Sequence, residues 1–116
     1  MPQILVDYSA ELTFDRLALA KELHGLIADV IDTTVPECKT VFRPASDHLV
    51  GDGSEGRAVV LAEIKILAGR GVELRAELSA QVLDLLQRHV DAPAAVAVQI
   101  TELDRATYRL AMHPGR

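Results

Sequence analysis

The chain has no tryptophan, two tyrosines and two phenylalanines, so aromatic residues make up only 3% of it. Surfaces for stacking nucleobases are correspondingly scarce, and the core must be aliphatic. A lone cysteine, Cys38, excludes an internal disulfide and points to a reducing compartment, the cytoplasm. With no partner thiol, Cys38 is read as inert. Basic residues are in deficit: 12 Lys and Arg against 17 Asp and Glu leave a net charge of -5. That balance disfavours nucleic acid or an anionic membrane as a partner. No apolar run approaches membrane-spanning length, and no basic segment followed by an apolar one opens the chain. His24, His48, His89 and His113 show neither H-x-x-x-H nor Cys/His ligand spacing, so no metal site is expected. Ser9 and Ser79 lack a nucleophile-elbow context. Gly51-Asp52-Gly53 precedes a strand rather than a helix, which excludes a phosphate-cradling loop.

What is present suits one domain, residues 1–116, with a tail from about 104 onward: 49% of the chain is hydrophobic, enough for a real core. Residues 3–8 read as a first strand, nearly continuous in apolar character, as a strand covered on both faces would be. Thr13 or Asp15 can cap the helix that follows. Its stripe of Leu19, Leu23, Leu26, Ile27 and Val30 leaves Asp15, Glu22 and Asp29 in solvent. Gly25 interrupts that helix, a position suited to close helix–sheet packing, and Pro36 lies beyond its end. Residues 38–50 are extended, with Pro44 marking an edge strand or bulge. The Gly-rich turn at 51–56 joins them to the longest strand, 58–66, and such a turn between extended runs predicts an antiparallel hairpin. A second helix spans about 72–89, striped by Leu74, Leu78, Val82, Leu85 and Leu86, with His89 placed to meet its C-terminal dipole. Asp91-Ala92-Pro93 ends it, and residues 95–102 form a last strand.

The two halves share one plan, strand, helix, strand. The fold class is therefore α/β (α+β): two βαβ units forming a four-stranded mixed sheet with two helices on one face. Because strands one and three read as apolar on both sides, the other face calls for a cover. Further copies of the chain would supply it, so a homo-oligomer is expected.

Two positions carry candidate chemistry. If Met1 is removed, Pro2 becomes a terminal secondary amine at the start of a buried strand. Such an amine titrates at roughly 7.7–8.0, and burial or a nearby cation would leave it unprotonated, as a general base must be. Arg70, in Gly69-Arg70-Gly71 between a strand end and a helix start, could grip a carboxylate through two parallel hydrogen bonds. Asp7 is an ordinary strand-end carboxylate on this reading, with orientation of Pro2 as its alternative role.

The opening Pro-x-x-x-Val-x-Tyr-Ser, the two βαβ units, the chain length and Lys65-Ile66-x-Ala68-Gly69-Arg70 together resemble the tautomerase superfamily. Within it, the likeness is to the 5-carboxymethyl-2-hydroxymuconate Δ-isomerase family, from Pro2 to about Leu103. The resemblance implies a homotrimer and a cofactor-free 1,3-proton shift on a small dienol acid of aromatic-compound catabolism, with the N-terminal proline as base. Pro2 matches that position, and Arg70 matches the arginine that engages the substrate's carboxylate. Where the family has a second arginine, early in strand two, this chain has Lys39, which keeps the charge but not the two-point grip. Arg43, four residues on, is placed to compensate. The substrate thus stays open, and a tautomerase for another enol acid or a hydratase- or dehalogenase-like relative remains an alternative. A non-catalytic ferredoxin-like ligand-binding module is the reading from outside enzymology.

Overall fold

The computed structural model describes residues 1–116. The first strand, β1 (Gln3–Ser9), alternates in burial: Ile4, Val6 and Tyr8 are buried, whereas Gln3, Leu5 and Asp7 are half-exposed. Helix α1 (Arg16–Ile31) follows, capped by the Asp15 side chain, which accepts from the Ala18 N–H at 3.0 Å. It ends at Asp32, whose left-handed φ of 55° returns its N–H to the Ala28 carbonyl. A short 3-10 turn at Val35–Glu37 leads into β2 (Lys39–Ala45). Then come β3 (Ala58–Leu67), α2 (Val72–His89) and β4 (Ala94–Leu103).

The strands lie in the order β2-β1-β3-β4. β1 pairs parallel with β2 and antiparallel with β3, and β3 pairs parallel with β4. Each parallel pair is bridged by one helix, so the two βαβ units of the sequence reading are present and meet along β1 and β3. Pro44 does mark an edge strand, where the missing N–H is tolerated. The expected hairpin is not formed. β1 lies between β2 and β3, and residues 46–57 instead carry the chain past the end of β1, where Ala10 N–H donates to Ala45 O at 2.9 Å.

Ile4, Val6, Val60, Ala62, Ile64 and Ile66 meet Leu19, Leu23 and Ile27 of α1 and Leu78, Val82 and Leu86 of α2 in one aliphatic core. Three of the four aromatics, Tyr8, Phe14 and Phe42, cluster together, with the rings of Tyr8 and Phe14 edge to face at 5.2 Å. Gly25 packs against nothing: a Cβ there would meet no atom within 4 Å, so it marks no close approach to the sheet. The helix-free face is not apolar on strands one and three. By register it carries Lys39, Val41 and Arg43, then Gln3, Leu5 and Asp7, then Lys65, Glu63 and Leu61. Glu63 there accepts from the Thr101 hydroxyl at 2.7 Å. Aliphatic residues remain among these charges, with Val41 51% and Leu61 46% exposed. The tail leaves β4 at Leu103 and is largely exposed, touching the sheet where Gln3 Nε2 donates to the Tyr108 hydroxyl at 3.4 Å. No helix is long and apolar enough to cross a membrane.

Candidate active site

Because β1 is an inner strand, its first residues are seated in the sheet. The Pro2 carbonyl accepts from the Lys39 N–H at 3.1 Å, continuing the β1–β2 ladder by one step. Proline has no N–H to leave unpaired there, and its ring is under 2% exposed. Met1 precedes it, and the Met1 ammonium lies 3.2 Å from Glu37 Oε2. While Met1 is attached, the Pro2 nitrogen is an amide and holds no exchangeable proton.

Beside Pro2 is a cavity of about 200 Å³, walled by Ile31, Ile66 and Leu67 and by the polar groups of Thr33, Glu37, Arg70 and Arg105. Sites for drug-sized ligands run to roughly 300–1,000 Å³, so this volume suits a small acid. Arg70 is brought to Pro2, as the sequence suggested, but its guanidinium is partly engaged. The last carbonyls of a helix have no partner within it. Ile31 O, at the end of α1, accepts from Arg70 Nε at 3.3 Å and Nη2 at 3.1 Å. Arg70 Nη1 donates to Leu67 O at 3.4 Å. Of five guanidinium N–H donors, those three contacts leave two for a ligand. Gly69 makes the fold-back possible, with φ of 129° in the region that glycine favours.

The second cation expected from the sequence is not at the cavity. Lys39 stands opposite Gln3, so its side chain belongs to the helix-free face, where Nζ donates to Glu37 O at 2.6 Å. Arg43 does not replace it. It sits opposite Asp7, five residues along β1 from Pro2, about 16 Å at strand rise. There it grips Asp7 with two bonds of 2.8 Å, Nε to Oδ1 and Nη2 to Oδ2. That carboxylate raises the Arg43 pKa, and Asp7 is thereby occupied far from Pro2. The cavity's second guanidinium belongs to Arg105, which reading the chain in order did not single out. No local signal marks it: only the β3–β4 pairing, ending at Leu67 opposite Leu103, brings residue 105 to Ala68. Glu37, in the turn before β2, reaches the cavity through the β1–β2 pairing, which sets Lys39 beside Pro2.

The remaining titratable groups act in structure. Burial raises the Cys38 thiol pKa, and its S–H donates to Thr34 O at 3.6 Å, consistent with an inert thiol. Burial, and then the Lys39 charge, lower the His24 pKa, and its Nε2 lies 2.8 Å from Thr40 Oγ1, tying α1 to β2. His89 bonds the Glu22 carboxylate across the two helices. Asp52 accepts from the Ser54 N–H at 2.9 Å, which closes the Gly-rich turn and lowers its pKa. No three His, Cys, Asp or Glu side chains come together as a metal site would require. A wider cleft between the start of α1 and β2, lined by Phe14, Leu17, Thr40 and Phe42, holds no candidate base or nucleophile beyond Asp15.

No family model and no curated protein matches the sequence. Solved structures do match the fold. A structure described as a fused 4-OT wild type symmetric trimer superposes with a TM-score of 0.81 at 20% identity, covering 94% of this chain and 91% of that one. A 5-carboxymethyl-2-hydroxymuconate isomerase from Deinococcus radiodurans R1 gives a TM-score of 0.81 at 22% identity over 97% and 90% of the two chains. FG41 malonate semialdehyde decarboxylase, in a form inhibited by 3-bromopropiolate, gives 0.73 at 21% identity over 95% and 89%. The chain thus has the tautomerase fold, which its structural neighbours use for isomerisation and for decarboxylation alike.

Proposed function

We propose that the protein is an isomerase of the tautomerase type, catalysing a cofactor-free 1,3-proton shift in a 2-hydroxymuconate-type dienol acid. Pro2, freed by loss of Met1, is the base. In the keto form of the acid its nitrogen takes a proton from the carbon between the carbonyl and the C=C bond, giving the dienol, and returns it two carbons further along. The C=O is restored, the C=C bond moves into conjugation with it and nothing is gained or lost. The observation that carries the reading is the seating of Pro2, enclosed at the head of a central strand beside a cavity with two guanidiniums. Those cations favour a bound carboxylate, and the half-buried Arg70 also favours the unprotonated amine. Removal of Met1 takes away the ammonium now paired with Glu37 and opens the nitrogen of Pro2 towards the cavity. Arg70 binds the carboxylate of the substrate through its two remaining donors. The exposed Val41 and Leu61 on the helix-free face support burial against further copies, as a homotrimer, and one structural neighbour is described as a symmetric trimer.

The test joins two measurements. Intact mass establishes that Met1 is absent, and conversion of 2-hydroxymuconate is then compared between the mature protein and Pro2→Ala. General-base loss predicts a fall of about 10²–10⁴-fold. Equal rates in the two proteins refute the role of Pro2.

A further inference from the structure

We infer that Arg105 is the second carboxylate-binding cation of the Pro2 cavity, and that Arg70 and Arg105 together select acids with two carboxylates. The inference rests on the reading of that cavity as the substrate site. Both arginines leave the same end of the sheet, Arg70 after β3 and Arg105 after β4. Ala68 N–H donates to Leu103 O at 2.9 Å, so the two loops start side by side. The Arg105 loop is held in a defined turn: Asp104 Oδ1 accepts from the Ala106 N–H at 2.9 Å, and Asp104 O from the Tyr108 N–H at 3.1 Å.

Arg105 Nε then donates to Ala68 O at 2.6 Å, which sets the plane of the guanidinium. Its terminal nitrogens, unlike those of Arg70, have no partner in the protein, and they form the edge that can grip a carboxylate in two places. The guanidinium lies against Gly69, where a Cβ would stand 3.6 Å from both Nε and Nη2. The only acidic side chain in the cavity wall is Glu37, against the two guanidiniums. One charge of a dianion would meet the two free donors of Arg70, and the other the open edge of Arg105. Arg105 is exposed, so it contributes to capture and selection of substrate and little to the chemical step.

The test compares 2-hydroxymuconate with 2-hydroxypenta-2,4-dienoate, which has the same dienol acid end and a single carboxylate. Arg105→Ala should raise KM for the diacid about tenfold or more with kcat little changed, and leave the monoacid as it was. Arg105→Lys should recover part of the loss. Calorimetric binding of two inert acids, muconate and sorbate, supplies a readout that does not need turnover. The unaltered protein should prefer muconate, and Arg105→Ala should abolish the preference. Equal effects of Arg105→Ala on diacid and monoacid, or none on either, overturn the inference. An intact preference for muconate that depends on Arg105, in a protein that turns over neither acid, upholds it while refuting the isomerase reading.

Discussion

Arg70 is asked to do two things at once, and Arg70→Ala separates them. The substitution deletes three donors: two that converge on Ile31 O at 3.3 and 3.1 Å, and one to Leu67 O at 3.4 Å. A hydrogen bond from a charged donor contributes about 1.5–3 kcal/mol net. These bonds sit at or beyond the long end of the usual 2.7–3.2 Å range, two share one acceptor, and water can reach a half-buried side chain to replace part of them. Together they amount to about 1–2 kcal/mol. In a domain of 116 residues that lowers Tm by about 4–8 °C. Circular dichroism melts of the unaltered protein, Arg70→Ala and Arg70→Lys at one protein concentration measure it, because an oligomer's Tm moves with concentration. Lysine restores the charge but reaches one carbonyl rather than two, so its Tm should fall between. If Arg70→Ala melts within about 1 °C of the unaltered protein, the carbonyl contacts carry no weight and Arg70 belongs wholly to the ligand.

Gly25→Ala should stabilise the fold by about 0.5–1 kcal/mol, the helix-propensity difference, since the new methyl meets nothing within 4 Å; urea unfolding reads this as a higher midpoint at unchanged slope. His24 gives a pH dependence. Burial and Lys39 hold its folded pKa below the ordinary 6.5, so below that value the unfolded chain binds more protons than the folded one and stability is lost as pH falls. His24→Gln should lose less stability than the unaltered protein between about pH 7.5 and 5.5, in urea unfolding at each pH.

The helices and the two-fold plan of the chain can be read from short-range pattern because their causes are local. The α2 stripe of Leu78, Val82, Leu85 and Leu86 is buried as its spacing implies, and the Asp15 cap is where a helix start needs an acceptor. The order of strands has no such local cause. Nothing in residues 46–57 distinguishes a hairpin turn from a connection that passes over a third strand; the choice is made by β1, whose two edges satisfy β2 and β3 together. The same holds for the site. Pro2 and Arg70 could be named from the sequence, whereas the turn of Arg70 onto Ile31 depends on where α1 happens to end. Arg105 reaches the cavity only through the register of β3 on β4. Lys39 was displaced by parity: pairing with Gln3 puts it on the far side of the sheet from Ile4 and Val6.

The position of β1 between two strands that follow it in the chain also bears on biosynthesis. Residues 3–9 leave the ribosome well before residues 39–45 and 58–67, the segments that must flank them. Until then, an aliphatic ribbon with two bare edges waits for company, the kind of segment that seeks other nascent chains. Hydrogen exchange on stalled chains should find residues 4–8 unprotected until the 58–67 segment has emerged, and protected soon after.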